Sequence, residues 1–179
     1  HRMHHPTRLL ALAFSAAAAL TAAGCAHMGS GPAATARLEP TRGNTTAGDV
    51  RFVQQGNAVR VSGEVRGLAP NTEHGFHIHE KGDCSSGDGN SAGGHFNPLA
   101  KPHGQHDHGD HHAGDLPSLV ADANGVARFS LESRSISVGS GSTNIIGRGL
   151  IVHRDPDDYK TQPTGNAGAR LACAVIAAQ

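Results

Sequence analysis

Between Lys81 and Pro117 the chain runs for about 37 residues through Gly, Asp, Asn, His and Pro with no apolar periodicity. A compact domain rarely holds so much chain without regular structure unless the stretch is functional or something orders it. Any fold for this sequence must therefore provide a rigid frame and a set of ties for the segment. Candidate ties lie inside it: Cys84, and the ligand-type side chains His95, His103, His112 and Asp115.

The frame reads as β-structure. Val59, Val61 and Val65 alternate with Arg60, Ser62, Glu64 and Arg66, the period of two expected of a half-buried antiparallel strand. Asp49–Gln55 reads the same way, and Gln55-Gly56-Asn57 is a tight turn, so the two runs predict a hairpin. Further strands are predicted at 34–39, 73–79, 119–121, 126–131, 146–153 and 170–177. Glycine is frequent, 24 of 179 residues, and each one inside a helix costs about 1 kcal/mol relative to alanine. Short strands separated by turn signals indicate an all-β sandwich or barrel. A second irregular stretch, 154–169, is the other candidate functional loop. The sequence has no phosphate-binding loop, dinucleotide fingerprint or Gly-x-Ser-x-Gly elbow.

Lys plus Arg and Asp plus Glu both number 15, which argues against nucleic acid as a partner. Arg2, His4, His5 and Arg8 precede an apolar run, Leu9–Ala23, too short to span a membrane and of the length of a secretory leader. The run ends in Leu20-Thr21-Ala22-Ala23-Gly24-Cys25, which resembles a bacterial lipobox with Cys25 lipidated, although Ala22 stands where Leu is usual. Ordinary cleavage near Ala26 is the alternative. The expected organisation is a lipoprotein-type signal peptide over 1–24, a flexible tether over 25–34 and one domain over 35–179. Membrane contact would come only through the anchor, and the expected location is the periplasm or cell envelope. Removing residues 1–24 takes away Arg2 and Arg8, leaving a formal charge of −2. Cys84 and Cys173 then remain as an even pair in an oxidising compartment, either a disulfide or two buried thiols.

Fourteen histidines point to metal. His77 and His79 stand two apart on a predicted strand and so project from one face. His95, His103, His112 and Asp115 make an N3O set suited to zinc. His153 ends a distant apolar strand and could return to the His77/His79 pair, where imidazole-only ligation suits copper. Together, Gly75-Phe76-His77-Ile78-His79-Glu80, Gly94-His95-Phe96-Asn97-Pro98-Leu99, His112-Ala113-Gly114-Asp115-Leu116, Ile145-Ile146-Gly147-Arg148, Val152-His153 and Thr164–Cys173 resemble the copper/zinc superoxide dismutases. The resemblance runs from about Thr35 to the end, with every motif in the family's order.

The resemblance implies an eight-stranded antiparallel Greek-key β-barrel with two long functional loops. It implies one copper, on His77, His79, His95 and His153, and one zinc, on His95, His103, His112 and Asp115, with His95 bridging both. Asp157 would be the carboxylate behind a ligand on each metal, and Cys84–Cys173 the family disulfide. The implied reaction is dismutation of superoxide, the substrate, to dioxygen and hydrogen peroxide. His95 would carry a proton, Arg170 would bind the anion beside copper, and Thr164 would face it across the channel. The implied role is protection of the cell envelope; a homodimer is one expected assembly. The family is a known case of electrostatic steering; here Arg170 and Lys160 are the expected local positive charges.

Three features depart from the family. The Cys84–His95 spacing is longer than in many animal members, the His153–Arg170 loop is shorter, and His106, His108 and His111 add imidazoles to the zinc segment. These three read either as a solvated insert or as an extra metal-collecting site, and His74 reads as a rim residue outside the ligand set. The rival function is a metal-binding protein on the same barrel that stores or passes on copper without catalysis; such proteins usually lose copper ligands or the Arg, and here all are present.

Overall fold

The computed structural model describes residue 3 and residues 31–179. Cys25, the leader apart from Met3, and the expected tether as far as residue 30 lie outside the described residues. Nine strands follow in order: β1 Ala33–Pro40, β2 Ala47–Gln55, β3 Ala58–Arg66, β4 Glu73–His79, β5 Asp115–Val120, β6 Ala127–Ser133, β7 Gly149–His153, β8 Arg170–Val175 and β9 Ala177–Ala178. Among the described residues the only helical element is a 3-10 turn, Asn90–Ala92.

The strands pair antiparallel in the order β5-β4-β7-β8-β1-β2-β3-β6, with the short β9 added to β1. This is the nearly closed eight-strand barrel that the resemblance implies; the crossovers β3 to β4 and β6 to β7 make it a Greek key. In β1 Ala34, Ala36 and Leu38 are buried and alternate with exposed Thr35, Arg37 and Glu39. The β2–β3 hairpin closes with Gln55 opposite Ala58, so Gly56 and Asn57 form its turn. β1 starts at Ala33, and the Gly31 N–H already donates to the Gln54 carbonyl, inside the stretch expected as tether.

One core fills the barrel, with Leu38, Phe52, Val59, Val61, Phe76, Ile78, Leu116, Leu150 and Ile176 fully buried. β4 and β7 are buried on both faces, because each turns one side to this core and carries the long segments on the other. Phe76 and Ile78 face the core; His77 and His79 alternate with them and face outward, under the segments.

Most strand boundaries shift by a residue or two from the sequence reading, and the run 170–177 is split at Ile176 into β8 and β9. Two strands start three or more residues away from the expected position. β5 begins at Asp115, four residues before the expected Leu119, so Asp115 belongs to the barrel wall opposite His77. Its first residues carry little period-two signal because Leu116 and Pro117 follow one another, and pairing with β4 decides the matter. β7 begins at Gly149 and not at Ile146, since Ile145–Arg148 closes a turn through the Arg148 N–H to the Ile145 carbonyl.

The long segment is tied at Cys84, as expected, and also by backbone bonds to β4. Cys84 and Cys173 of β8 form a disulfide, seated against Ala92 and Ile151. Beyond it, Phe96 donates its N–H to the Ile78 carbonyl and Ile78 donates to Gly114, which lashes the segment to β4.

Candidate metal centre

Every candidate ligand is placed by the frame or by a tie to it. His77 and His79 lie on β4 and His153 ends β7. His95 forms an isolated antiparallel bridge with His79, and Asp115 opens β5 opposite His77. His103 is held by Gln162, whose side chain accepts from the His103 N–H and donates to its carbonyl, both at 2.8 Å. His112 donates its backbone N–H to Asp115 Oδ2 at 2.8 Å. All seven side chains are buried.

The hydrogen bonds fix which ring nitrogen of each imidazole is left free. His77 uses Nε2 on Asp157 Oδ2 at 2.8 Å, leaving Nδ1. His79 uses Nδ1 on the Gly93 carbonyl at 2.8 Å, and His153 uses Nδ1 on the Gly168 carbonyl at 3.1 Å, leaving both Nε2 atoms. His77 Nδ1, His79 Nε2, His95 Nε2 and His153 Nε2 are buried with no hydrogen-bond partner, and the four residues each bring one ring nitrogen within 4.8 Å of the others. An unpaired buried polar atom typically costs about 1–3 kcal/mol, so four aimed at one point would be an expensive arrangement without a cation. Four imidazole donors suit copper.

A second group shares His95. Its Nδ1 lies 2.9 Å from Asp115 Oδ1 and 3.0 Å from His112 Nδ1. Asp115 Oδ1 is also 3.0 Å from His103 Nδ1 and 3.6 Å from His112 Nδ1. His103 Nδ1 and Asp115 Oδ1, though close, lack hydrogen-bond geometry and count as unpartnered. Donors sharing a tetrahedral zinc at ~2.0 Å stand roughly 3.3 Å apart, close to these spacings. The residues present fit both metals. Asp157 joins the groups from behind, its two oxygens each 2.8 Å from an imidazole, His77 Nε2 and His103 Nε2.

The electrostatics favour ligand-ready rings. Burial pushes His79 and His153 well below the ordinary imidazole range, helped by neighbouring imidazoles and Arg170. Burial lowers His95 to about 4 against the opposing pull of Asp115. In His103 burial is outweighed by the Asp115 and Asp157 carboxylates, which raise it to about 9. Burial likewise opposes ionisation of Asp115 and Asp157, but the imidazoles hold both well below the carboxylate range.

Arg170 opens β8, half-buried, with Nη1 donating to the Gly89 carbonyl at 2.8 Å. It lines a cavity of about 440 Å³ together with His153, Thr164, Thr41, Arg42 and Asp88. Lys160 is exposed and is not among the lining residues. His74, read as a rim residue, is buried and bonds through Nδ1 to the His153 carbonyl at 2.7 Å. Strand phase conceals this contact, since His74 lies on the opposite pleat from His77 and the register is irregular between His74 and Phe76. His106 and His111 approach to 5.7 Å between ring centroids. However, both His106 nitrogens face carbonyls, of Asp115 and Glu132. Among the described residues only the two groups above bring three or more ligand side chains together.

The comparisons agree with this geometry. The family model for copper/zinc superoxide dismutase matches residues 46–176. A superoxide dismutase [Cu-Zn] of Paramecium bursaria Chlorella virus 1 is 45% identical over 135 residues, covering 72% of this chain and 71% of its own length. One from Onchocerca volvulus is 44% identical over 147 residues, covering 76% and 91%. A bacterial relative, superoxide dismutase [Cu-Zn] 2 of Aquifex aeolicus, is 39% identical over 147 residues, covering 80% and 85%. Among solved structures, the crystal structure of the clock protein EA4 matches with a TM-score of 0.75 at 42% identity, covering 82% of this chain and 94% of that one.

Proposed function

The chain belongs to the copper/zinc superoxide dismutase family and is an enzyme of that class using copper and zinc, and on that premise we propose how its side chains divide the work. His77, His79, His95 and His153 hold copper; His95, His103, His112 and Asp115 hold zinc. The observation that carries this division is the set of four unpartnered imidazole nitrogens on the copper side. Bound copper supplies one-electron chemistry, oxidising one superoxide and reducing the next.

The protein contributes position, charge and protons. Asp157 fixes the rings of His77 and His103, and so holds both groups in one orientation through a single carboxylate. His95 presents Nε2 to one group and Nδ1 to the other, so a proton can be held at Nε2 whenever that atom is not engaged. The Arg170 guanidinium, anchored on Gly89, offers fixed positive charge and N–H donors to a small anion in the cavity beside His153, which Thr164 also lines.

The leader-like run before Cys25 supports export, with a tether ending by residue 30 and the domain beyond it. The enzyme then protects the cell envelope from superoxide arising outside the cytoplasm, held there by lipid on Cys25. In Cys25→Ser the protein should leave the membrane fraction with its activity intact; a native protein that is already soluble and begins after Ala26 contradicts the anchor.

The test of the catalytic reading is reconstitution. Metal-free protein supplied with both ions should bind one copper and one zinc per chain and then dismute superoxide. Stoichiometric loading without dismutation would support copper storage instead.

A further inference from the structure

The cavity beside His153 contains a second guanidinium that the family reading does not use. Arg42 follows β1, is exposed, and lines the same cavity as Arg170. Both arginines are mounted on one tripeptide of the disulfide-tied segment, Gly87-Asp88-Gly89. The Arg42 N–H donates to the Gly87 carbonyl at 2.8 Å, and its Nη2 reaches the Ser86 carbonyl at 3.4 Å. Arg170 donates to the Gly89 carbonyl at 2.8 Å. Each guanidinium side chain packs where a glycine lacks a side chain: a Cβ on Gly87 would stand 2.6 Å from Arg42 Nη2, and one on Gly89 would stand 2.9 Å from Arg170 Cβ. Thr41, next to Arg42, donates its hydroxyl to the Arg170 carbonyl at 2.6 Å and ties the two mounts together.

We propose that Arg42 is a second anion-guiding residue, placing positive charge at the cavity mouth where the short 154–169 loop leaves Lys160 outside it. Asp88 is the one acidic side chain lining the cavity. Its carboxylate accepts from the Asn90 N–H, the Asn90 side-chain amide and the Ser86 hydroxyl and is hydrogen-bonded to neither guanidinium, although its charge still acts on Arg170. Both arginines line the cavity, and each spends one terminal nitrogen on a backbone carbonyl, Arg42 on Ser86 and Arg170 on Gly89, with its remaining N–H groups available to an anion. The function of Arg42 is to raise the capture rate of a small anion without touching the metal ligands.

This inference rests on the dismutase reading, and a wild-type enzyme that loads both metals and turns over secures that reading first. Arg42→Gln, Arg42→Lys and a distant control, Arg60→Gln on β3, then separate local from net charge. Arg42→Gln should keep its metal content and lose about twofold in kcat/KM at low ionic strength, the size expected of one charge acting through water over roughly 10 Å. Its rate should also fall less steeply with added salt. Arg42→Lys should keep the wild-type salt slope, and Arg60→Gln should match wild type throughout. Azide, titrated spectroscopically into the copper-loaded protein, should bind about twofold more weakly to Arg42→Gln at low salt. A wild-type rate, salt slope and azide affinity in Arg42→Gln would overturn the proposal, as would equal losses in Arg60→Gln.

Discussion

Gly165 shows how closely single residues are fitted behind the metal centre. Its φ of +71° already favours glycine, and a Cβ there would run into Asp157 Oδ1 and stand 2.6 Å from His103 Nε2. Gly43 has a similar φ of +80° with nothing nearby. Gly43→Ala should therefore show backbone strain alone, about 1 kcal/mol. Gly165→Ala should cost at least twice as much and weaken retention of both metals, because it displaces the carboxylate that orients a ring in each group. Equal melting temperatures for the two variants would remove Asp157 from that role. Arg170→Ala should keep copper while losing most of the rate at low ionic strength, which stopped-flow decay of superoxide measures alongside metal content. By contrast, His153→Ala removes one of the four imidazoles proposed to hold copper and should abolish turnover with zinc still bound. Asp115→Ala should lose zinc and leave copper-dependent activity measurable.

Among the elements, the strands that alternate cleanly were readable from residues alone. β1, β2 and β3 face water on one side, so their apolar residues fall at every second position. β5 was misplaced because its start is defined by pairing with β4, and the terminal Asp115 looks like loop when read locally. The two long segments declare themselves by composition, yet their path does not; the first is set by the Phe96 N–H donating to the Ile78 carbonyl of β4 and the Ile78 N–H donating to the Gly114 carbonyl, and such contacts have no period. Motif order singled out the side chains that the structure gathers into two clusters, whereas the contacts of Arg42 and His74 were not legible, because each is made with a backbone carbonyl distant in sequence. The disulfide belongs to this scale, closing a loop across a sequence separation of 89 residues. Chain entropy assigns it roughly 4 kcal/mol, so reduction should lower the melting temperature of the metal-free protein by about 10 °C. An unchanged melting temperature with both thiols free would refute a structural role.

Across the whole molecule, the buried imidazoles tie stability to pH. His79, His95 and His153 are depressed by burial when folded, while unfolded imidazoles titrate near ~6.5. As pH falls below ~6.5 the unfolded chain takes up protons that the folded chain refuses, so the metal-free protein loses stability toward pH 4, on the order of 1.4 kcal/mol per ring and pH unit. His103, raised to about 9, acts oppositely: its contribution is complete below ~6.5 and disappears as pH rises through 9. Thermal unfolding of the metal-free protein should therefore be most resistant near pH 6.5, and a monotonic rise to pH 9 would contradict the assignment for His103. All of this follows from one claim, that the buried donors form two adjoining sites sharing His95. Anomalous diffraction at the copper and zinc edges, on crystals of the loaded protein, tests it directly. Copper should lie among His77 Nδ1, His79 Nε2, His95 Nε2 and His153 Nε2, and zinc among His95 Nδ1, His103 Nδ1, His112 Nδ1 and Asp115 Oδ1. Either metal found outside its set, or a single site occupied by both, would contradict it.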